Sequence, residues 1–558
     1  MPDQKKYWKS EAELNDQSTL AEDLAQKEFV QKLPEDLLGN TELPESETSR
    51  RDFLKYMGFS TAAATLAACE GPINTSIPYV VQPEQIIPGV ANYYATTMID
   101  GFDTASILVK TREGRPIKIE NNTEAPVNNC GNARVQASVL SLYDSMRLQG
   151  PKQAGVDVSW DTLEANVVQQ LMTLVEKGEE VALITPSLAS PTTNQIIKDF
   201  QAKFSNISHH VYDAISETAA LNAFEKAYGK RALPSYDFSK ASCIVSIDAD
   251  FLGDWQGGGY DTGYAKTRVP KAKKGKAKMS KHYQFESNMT LSGANADFRI
   301  PTTAIEQQFV LAELYGALTQ KAYPTSLSKA LKAKVSEIAV ALKAAGKGAV
   351  VVTGLQNEDA QRATLAINEL LGSQVMDVRQ NTSLRQGDAS QINQLVNDLS
   401  SGKVKGVIMA GVNPVYTLPN ADAFIAGLKK ADLSLSFSMK NDETAVHCQW
   451  VAPAPHYLES WGDVEMKMGH YALMQPTIRP LFDTKQFQDL LLKLSGSTQS
   501  YDDAIKAYWK ANILNGASFN EALHDGFHVN AVSNRLAYRD NVDAVSYTHL
   551  TLPTTPYV

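Results

Sequence analysis

Short apolar runs, each closed by a turn and followed by a helical pattern, recur along this chain and constrain its fold more than any other feature. VALITP leads to TTNQIIKDFQAKF and KGAVVVTG leads to EDAQRATLAINELLG, while SCIVSIDADFLGDW and VKGVIMAGVNPVY each run from apolar residues into a turn. These runs are too short for helices and apolar throughout rather than alternating, so each predicts a strand buried on both faces. Strands alternating with helices of 10–15 residues predict an α/β, multi-domain fold with mainly parallel sheets covered by helices. Within WDTLEANVVQQLMTLVEKG, Leu163, Val167, Leu171 and Leu174 recur at helical spacing and predict one buried face. ASILVKTREGRPIKIENN departs from this scheme: it alternates on both sides of Glu113-Gly114 and predicts a hairpin.

Charge and motif content exclude several function classes. A formal charge of −9 argues against nucleic acid as a partner, since a phosphate-binding surface needs a basic excess. The Lys-rich stretch Arg268–Lys281 holds no aromatic residue, so it reads as a solvated loop touching a membrane or an acidic subunit, not a base-stacking surface. Four cysteines, Cys69, Cys130, Cys243 and Cys448, lie far apart without a CxxC, too scattered for a disulfide scaffold or a closed thiolate site. There is no GxGxxG, no GxxxxGK[ST] and no GxSxG, and no apolar run of 18 residues. Ligands of parallel sheets sit at carboxyl ends of strands, where Asp248, Asp250 and Trp255 fall and where Gly354 leaves room for a phosphate to approach. His447, His456 and His470 do not match a compact zinc motif, although His456, Glu459 and Asp463 are close enough in sequence to meet.

The segment Asn441–Pro480 reads as a long ordered loop system rich in Pro and His. GVNPVY, DETA, APAPHYLESWGD and QPTIRPLF, in that order, resemble the third domain of the molybdopterin oxidoreductase superfamily. More narrowly they resemble the large iron–sulfur subunit of alternative complex III, a quinol-oxidising membrane complex. The resemblance covers about residues 49–540. It implies two α/β units that clasp a molybdopterin guanine dinucleotide in active relatives, with Asn413 and Glu443 at motif positions near the clasp. Together with Asp248 and Asp250 these are candidates for a vestigial cofactor site. Active relatives hold the metal through pterin dithiolenes, often with a protein Ser, Cys or selenocysteine. They also hold an iron–sulfur cluster on cysteines, in a region here filled by Asn92–Met98, and the resemblance sets Asn132 at the fourth cysteine position. One thiolate, Cys130, cannot hold a cubane.

The expected domains are a disordered extension over 1–48, a leader over 49–69, a linker with a small β region over 70–134, α/β units over 135–320 and 321–500, and a further region begun at 501–544. Residues 545–558 break the preceding pattern and resemble translated adapter sequence, so the chain reads as a fragment. The leader carries Arg50, Arg51, Phe53 and Leu54 in the twin-arginine pattern and ends in a lipoprotein box at Cys69, predicting export and a lipid anchor on the periplasmic face of the inner membrane. The resemblance then implies a non-catalytic scaffold in a quinol-oxidising complex. Its partners are haem and integral membrane subunits, with membrane lipid through Cys69. No cofactor is expected in this fragment, and iron–sulfur clusters only in a C-terminal ferredoxin-like part. The alternatives are a catalytic molybdopterin oxidoreductase and a non-redox interaction module.

Overall fold

The computed structural model describes residues 87, 89–100, 103–270 and 278–540. The expected leader residues Arg50, Arg51, Phe53, Leu54 and Cys69, the centre of the Lys-rich stretch and the tail 545–558 lie outside the described residues.

The chain enters through an antiparallel sheet of β1 (Asn92–Asp100), β2 (Asp103–Arg112) and β3 (Arg115–Asn121). Glu113 and Gly114 take positive φ, the geometry of the tight turn that the hairpin pattern predicts. Helix α1 (Ala133–Leu142) packs Val135, Val139 and Leu142 on Ile107, Val109 and Ile119 of this sheet. The edge pair β4 (Lys152–Gln153) and β5 (Val156–Asp157) follows, then α2 (Trp160–Glu176), β6 (Glu180–Thr185), α3 (Pro191–Lys203), β7 (Ile207–Val211) and α4 (Thr218–Tyr228). Ser159 caps α2 by accepting from Thr162 N, and Ser190 caps α3 with Pro191 in its first turn, so both helices start where the sequence supplies a cap. Leu163, Val167, Leu171 and Leu174 are buried together, as their spacing predicts.

Strand β8 (Leu233–Tyr236) follows, and then β9 (Cys243–Ile247), helix α5 (Asp261–Arg268), strands β10 (Lys281–Glu286) and β11 (Phe298–Pro301), helices α6 (Ala304–Thr319) and α7 (Lys329–Ala345), β12 (Ala349–Thr353) and α8 (Glu358–Leu371) make the second α/β layer. After it come β13 (Met376–Thr382), α9 (Ala389–Ser401), β14 (Val404–Ala410), α10 (Ala421–Leu428), β15 (Leu433–Ser438) and β16 (Trp450–Pro453). The chain closes with β17 (Gly462–Lys467), β18 (His470–Met474), α11 (Phe487–Leu494), α12 (Tyr501–Asn512), α13 (Phe519–Asp525) and β19 (Phe527–Val529).

Two parallel sheets organise these elements. The larger runs β5-β4-β16-β15-β14-β6-β7, parallel from β16 to β7, and the smaller runs β11-β10-β9-β12, parallel throughout. Helices α2, α3, α11 and α12 cover one face of the larger sheet, and α9 and α10 the other. Both sheets draw strands from either side of residue 320: β12 pairs with β9, and β14 with β6. The linear division 135–320 and 321–500 therefore does not follow the sheets. Central strands choose partners by burial, and the strand order cannot be read from chain order.

Two further expectations change. Asn441–Pro480 is not loop throughout; it contributes β16, β17 and β18. Residues after 501 do not begin a separate region: Tyr501, Ile505 and Trp509 of α12 are at most 2 % exposed within the core of the larger sheet. β19 extends the β17–β18 pair, and Arg362 forks onto Asp540 at 2.7 and 2.8 Å. Polar residues on the other face of α12 hide this burial in a short sequence window.

Candidate functional site

A cleft of about 1410 Å³ opens at the carboxyl ends of β6, β7, β14, β15 and β16. Its walls from the larger sheet are Pro186–Ser190, Tyr212–Ile215, Ala410–Asn413, Phe437–Met439 and Ala454–Tyr457. Opposite stand Ser235–Lys240, Gln256–Gly263 without Asp261, and Thr382, Leu384 and Arg385, with Met98–Asp100 and one side of α1 closing the end. This is where a parallel sheet presents ligands, because the strands end there and loops diverge.

The sequence candidates divide. Asn413 lines the cleft, donates to Glu443 Oε2 at 2.7 Å and accepts from Thr444 Oγ1 at 2.7 Å. Glu443 is exposed, and the Asn413 amide holds its carboxyl below the ordinary range. Thus the Asn-Pro and Asp-Glu-Thr motifs are tied into one turn system. Asp248 and Asp250 follow β9 of the smaller sheet and are not cleft residues. Asp250 Oδ1 accepts from Ser292 N and Oγ at 2.8 and 2.7 Å, a structural role, while burial pushes the Asp248 carboxyl up. Gly354 is required by a close approach: a Cβ there would lie 2.0 Å from the Asp248 carbonyl oxygen. Trp255 donates Nε1–H to Thr353 O at 3.1 Å and packs on Tyr236.

Asn92–Met98 is regular strand β1, paired with β2 along its length. Gln475 fixes it further by donating Nε2–H to Ala95 O at 2.6 Å and N–H to Thr96 Oγ1 at 3.1 Å. Asn132 caps α1 through Val135 N and donates to Asp103, whose carboxylate also receives an Arg134 fork at 2.7 and 2.9 Å. Burial alone would raise Asp103, but Arg134 and Asn132 outweigh it and hold the carboxyl low. Cys130 is exposed, whereas Cys243 and Cys448 are buried and their thiols are pushed up to about 11 and about 12 by burial. Among the described residues no group of three or more His, Cys, Asp or Glu is placed to hold a metal ion.

His456 and Glu459 do meet, in a capping box; Asp463 belongs to a different cluster. His456 Nδ1 accepts from Leu458 N at 3.2 Å, which assigns the ring proton to Nε2 and its donation to Ser141 Oγ at 2.8 Å. Burial, with Arg147 adding to it, pulls this histidine down to about 4. Sequence reading missed Arg385, a buried cation of the cleft wall that feels Asp213, Glu217 and Asp103; no motif surrounds it. It also missed the Gln256–Gly259 wall, four consecutive residues with positive φ, for which the triple glycine was the available signal.

Comparison with known proteins bears on this arrangement. Acetylene hydratase from Pelobacter acetylenicus superposes with a TM-score of 0.61 over 78 % of this chain and 74 % of that one, at 12 % identity. The two share an α/β fold with mostly parallel sheets. The menaquinone reductase molybdopterin-binding-like subunit of Nitratidesulfovibrio vulgaris (strain Hildenborough) is 26 % identical over 543 residues, covering 85 % of this chain and 76 % of that one. No family model matches the chain.

The resemblance of the Asn441–Pro480 motifs implies a molybdopterin in active relatives, and the cleft lining can be tested against a metal held by a serine or cysteine side chain. No cysteine lines the cleft. Its serine hydroxyls are all engaged: Ser138 with Val135 O, Ser141 with Ser138 O, Ser187 with Asp213, and Ser190 with Asp463. Likewise Ser235 donates to Asp377 O, Ser239 to Asp237, Ser438 to Asp442 and Ser460 to His456 O. The Asp213 carboxylate is spent on Ser187 N and Oγ and on Gly387 N at 2.9–3.0 Å or less. No serine or cysteine of the cleft is therefore set to ligate a metal.

Proposed function

We propose that this chain is a molybdopterin-binding-like subunit with a non-catalytic, scaffolding role in a membrane complex that exchanges electrons with the quinone pool. The observation that carries this reading is the chemistry of the cleft wall, where each serine already donates elsewhere and no thiol is present. The menaquinone reductase subunit supports the kind of assembly, and β1 in place of a cysteine segment supports a passive role for the N-terminal sheet. Within that reading, the chain stands on the quinol-oxidising side of a complex like alternative complex III, beside haem and integral membrane subunits, with iron–sulfur clusters carried by a ferredoxin-like part. It reaches the periplasmic face of the inner membrane by the twin-arginine route and is anchored there through Cys69. No described helix is long and apolar enough to cross a membrane.

Metal and pterin analysis of the complex tests the role. The fraction holding this chain alone should contain less than about 0.1 molybdenum per chain, since no serine or cysteine of the described cleft wall is set to ligate it. Near-stoichiometric molybdenum with extractable pterin sinks the scaffold reading in favour of a catalytic oxidoreductase. Mass spectrometry of the membrane-extracted chain should find an acylated N-terminal peptide beginning at Cys69, and an intact 1–68 segment on the mature chain contradicts the anchor.

A further inference from the structure

The sequence contains one Asn-Gly pair, Asn515-Gly516, and the structure places it in the turn between α12 and α13. Asn515 takes a φ of 49°, the left-handed region that asparagine tolerates, and Gly516 follows at 92°. Both residues are exposed. The Gly516 N–H makes no hydrogen bond among the described residues, and a Cβ built on Gly516 would meet nothing within 4 Å. That nitrogen can close a five-membered ring on the side-chain carbonyl carbon of Asn515. The closure needs an unengaged backbone nitrogen, no side chain on the following residue and access for water, and this turn supplies all three.

Among the described residues Asp525-Gly526 could close the same ring, and there the structure blocks it. The Gly526 N–H donates to Ala522 O at 2.9 Å as the cap of α13, and a Cβ on Gly526 would lie 2.9 Å from that of Ala95. Asn515-Gly516 has neither restraint. What Asn515 holds makes a change there consequential. Its Nδ2 donates to Asn530 Oδ1 at 3.1 Å, an oxygen that also accepts from His528 Nε2 at 3.2 Å. Asn530 Nδ2 donates to Ile513 O at 2.9 Å, and its N–H to Gly469 O at 2.8 Å. Asn530 thus latches the end of β19 to the end of α12 and to the β17–β18 turn. A carboxylate at 515 has no proton to give and would face Asn530 Oδ1 as a second acceptor. Turning the Asn530 amide over would meet that carboxylate only by giving up the bond to Ile513 O. One latch bond is lost either way.

We propose that Asn515 is a site of spontaneous covalent modification whose product unlatches the end of β19. The Gly516 nitrogen bonds to Cγ of Asn515 and loses its proton, the Cγ–Nδ2 bond breaks, and ammonia leaves. Water then opens the succinimide, at Cγ to give aspartate or at the main-chain carbonyl to give isoaspartate. Isoaspartate runs the main chain through Cβ, adding a carbon to the turn. Peptide mapping and hydrogen exchange on the purified full chain, fresh and after ageing at mildly alkaline pH, test this, with a synthetic peptide of residues 512–518 as the clock. The aged chain should carry an acid in place of the amide at 515, with isoaspartate detected by enzymatic methylation, and none at 525. Amides of residues 527–530 should exchange about fivefold faster in the aged chain than in the fresh one, the contribution of one hydrogen bond. Asn515→Gln closes a larger ring far more slowly, so it should stay unmodified and its exchange should not change with age. Fresh Asn515→Asp should already exchange as the aged chain does. An Asn515 still intact when the peptide is fully converted overturns the site, as does isoaspartate at 525 forming as fast as at 515. A converted Asn515 with unchanged exchange at 527–530, or a fresh Asn515→Asp that exchanges as the parent does, overturns the latch.

Discussion

Two buried carboxylates four residues apart in the same segment are solvated by opposite means. Glu459 is ionised by a partner: Arg147 reaches it at 2.6 and 3.2 Å, with both side chains at most 1 % exposed. Burial by itself would raise this carboxyl, but the guanidinium and the N–H groups of Leu481 and His456 hold it below the ordinary range. Asp463 has no cation. It accepts from Ser190 Oγ, Thr192 Oγ1 at 2.6 Å and Trp509 Nε1 at 2.9 Å, and burial pushes its carboxyl up despite these donors. The first pins the turn after α1 to the cleft wall, the second pins α12 and the start of α3 to β17. The difference teaches that a buried acid can be a charged staple or a polar hub, and that the surroundings rather than the residue type decide which.

The largest effect should come from breaking the staple. Arg147→Met leaves Glu459 buried without its cation and should cost about 3–5 kcal/mol in denaturant unfolding. The double change with Glu459→Leu should recover most of that, because an apolar pair carries no desolvation penalty. A single change costing under about 1 kcal/mol would show that water reaches Glu459. Asp463→Ala should cost less, about 1–3 kcal/mol, the penalty of leaving hydrogen-bond donors unsatisfied. Fluorescence unfolding measures both on one scale.

Acidity should separate the two sites by sign. Glu459, lowered on folding, gives stability that is present above its unfolded value, about 4.3, and lost as pH falls through the folded one. Asp463, raised on folding, gives stability complete below its unfolded value, about 3.9, and lost as pH rises through the folded one. Glu459→Gln should therefore flatten the acid limb, and Asp463→Asn should remove a loss seen on raising pH. Both variants changing the same limb would erase the distinction.

His456, beside the staple, supplies a smaller and sharper test. Its folded value of about 4 lies below the unfolded one, so the unfolded chain takes up a proton first as pH falls. Stability is untouched at high pH and should decline by about 1.4 kcal/mol per unit from about 6.5 down toward the folded value. His456→Gln should remove one such increment from the slope. The smallest effect belongs to Leu140, an exposed residue of α1: Leu140→Ser should stay within about 0.5 kcal/mol of the parent. A greater loss would mean that this side chain packs within the chain.

Much of the scaffold was legible because strand burial and helical spacing are local signals. The runs at Val181, Val350 and Val407 became the parallel strands β6, β12 and β14, and the helical face of Leu163, Val167, Leu171 and Leu174 became the buried face of α2. The cleft was legible only in part. Asn413 lies in it, whereas Asp248 and Asp250 sit at the end of the other sheet, because the strand-end rule does not say which sheet opens a cleft. Arg147 and Glu459 are 312 residues apart, and Ser190 and Asp463 are 273 apart, distances at which spacing carries no information.

By itself, then, the sequence determined the α/β class, the helix boundaries and the turn at Glu113-Gly114, since each depends on residues within one or two turns of the chain. Only the tertiary structure decided which strands are neighbours, where the cleft opens and whether a buried acid is paired or merely hydrogen-bonded. Those outcomes depend on desolvation, and desolvation is set by atoms brought from distant parts of the chain.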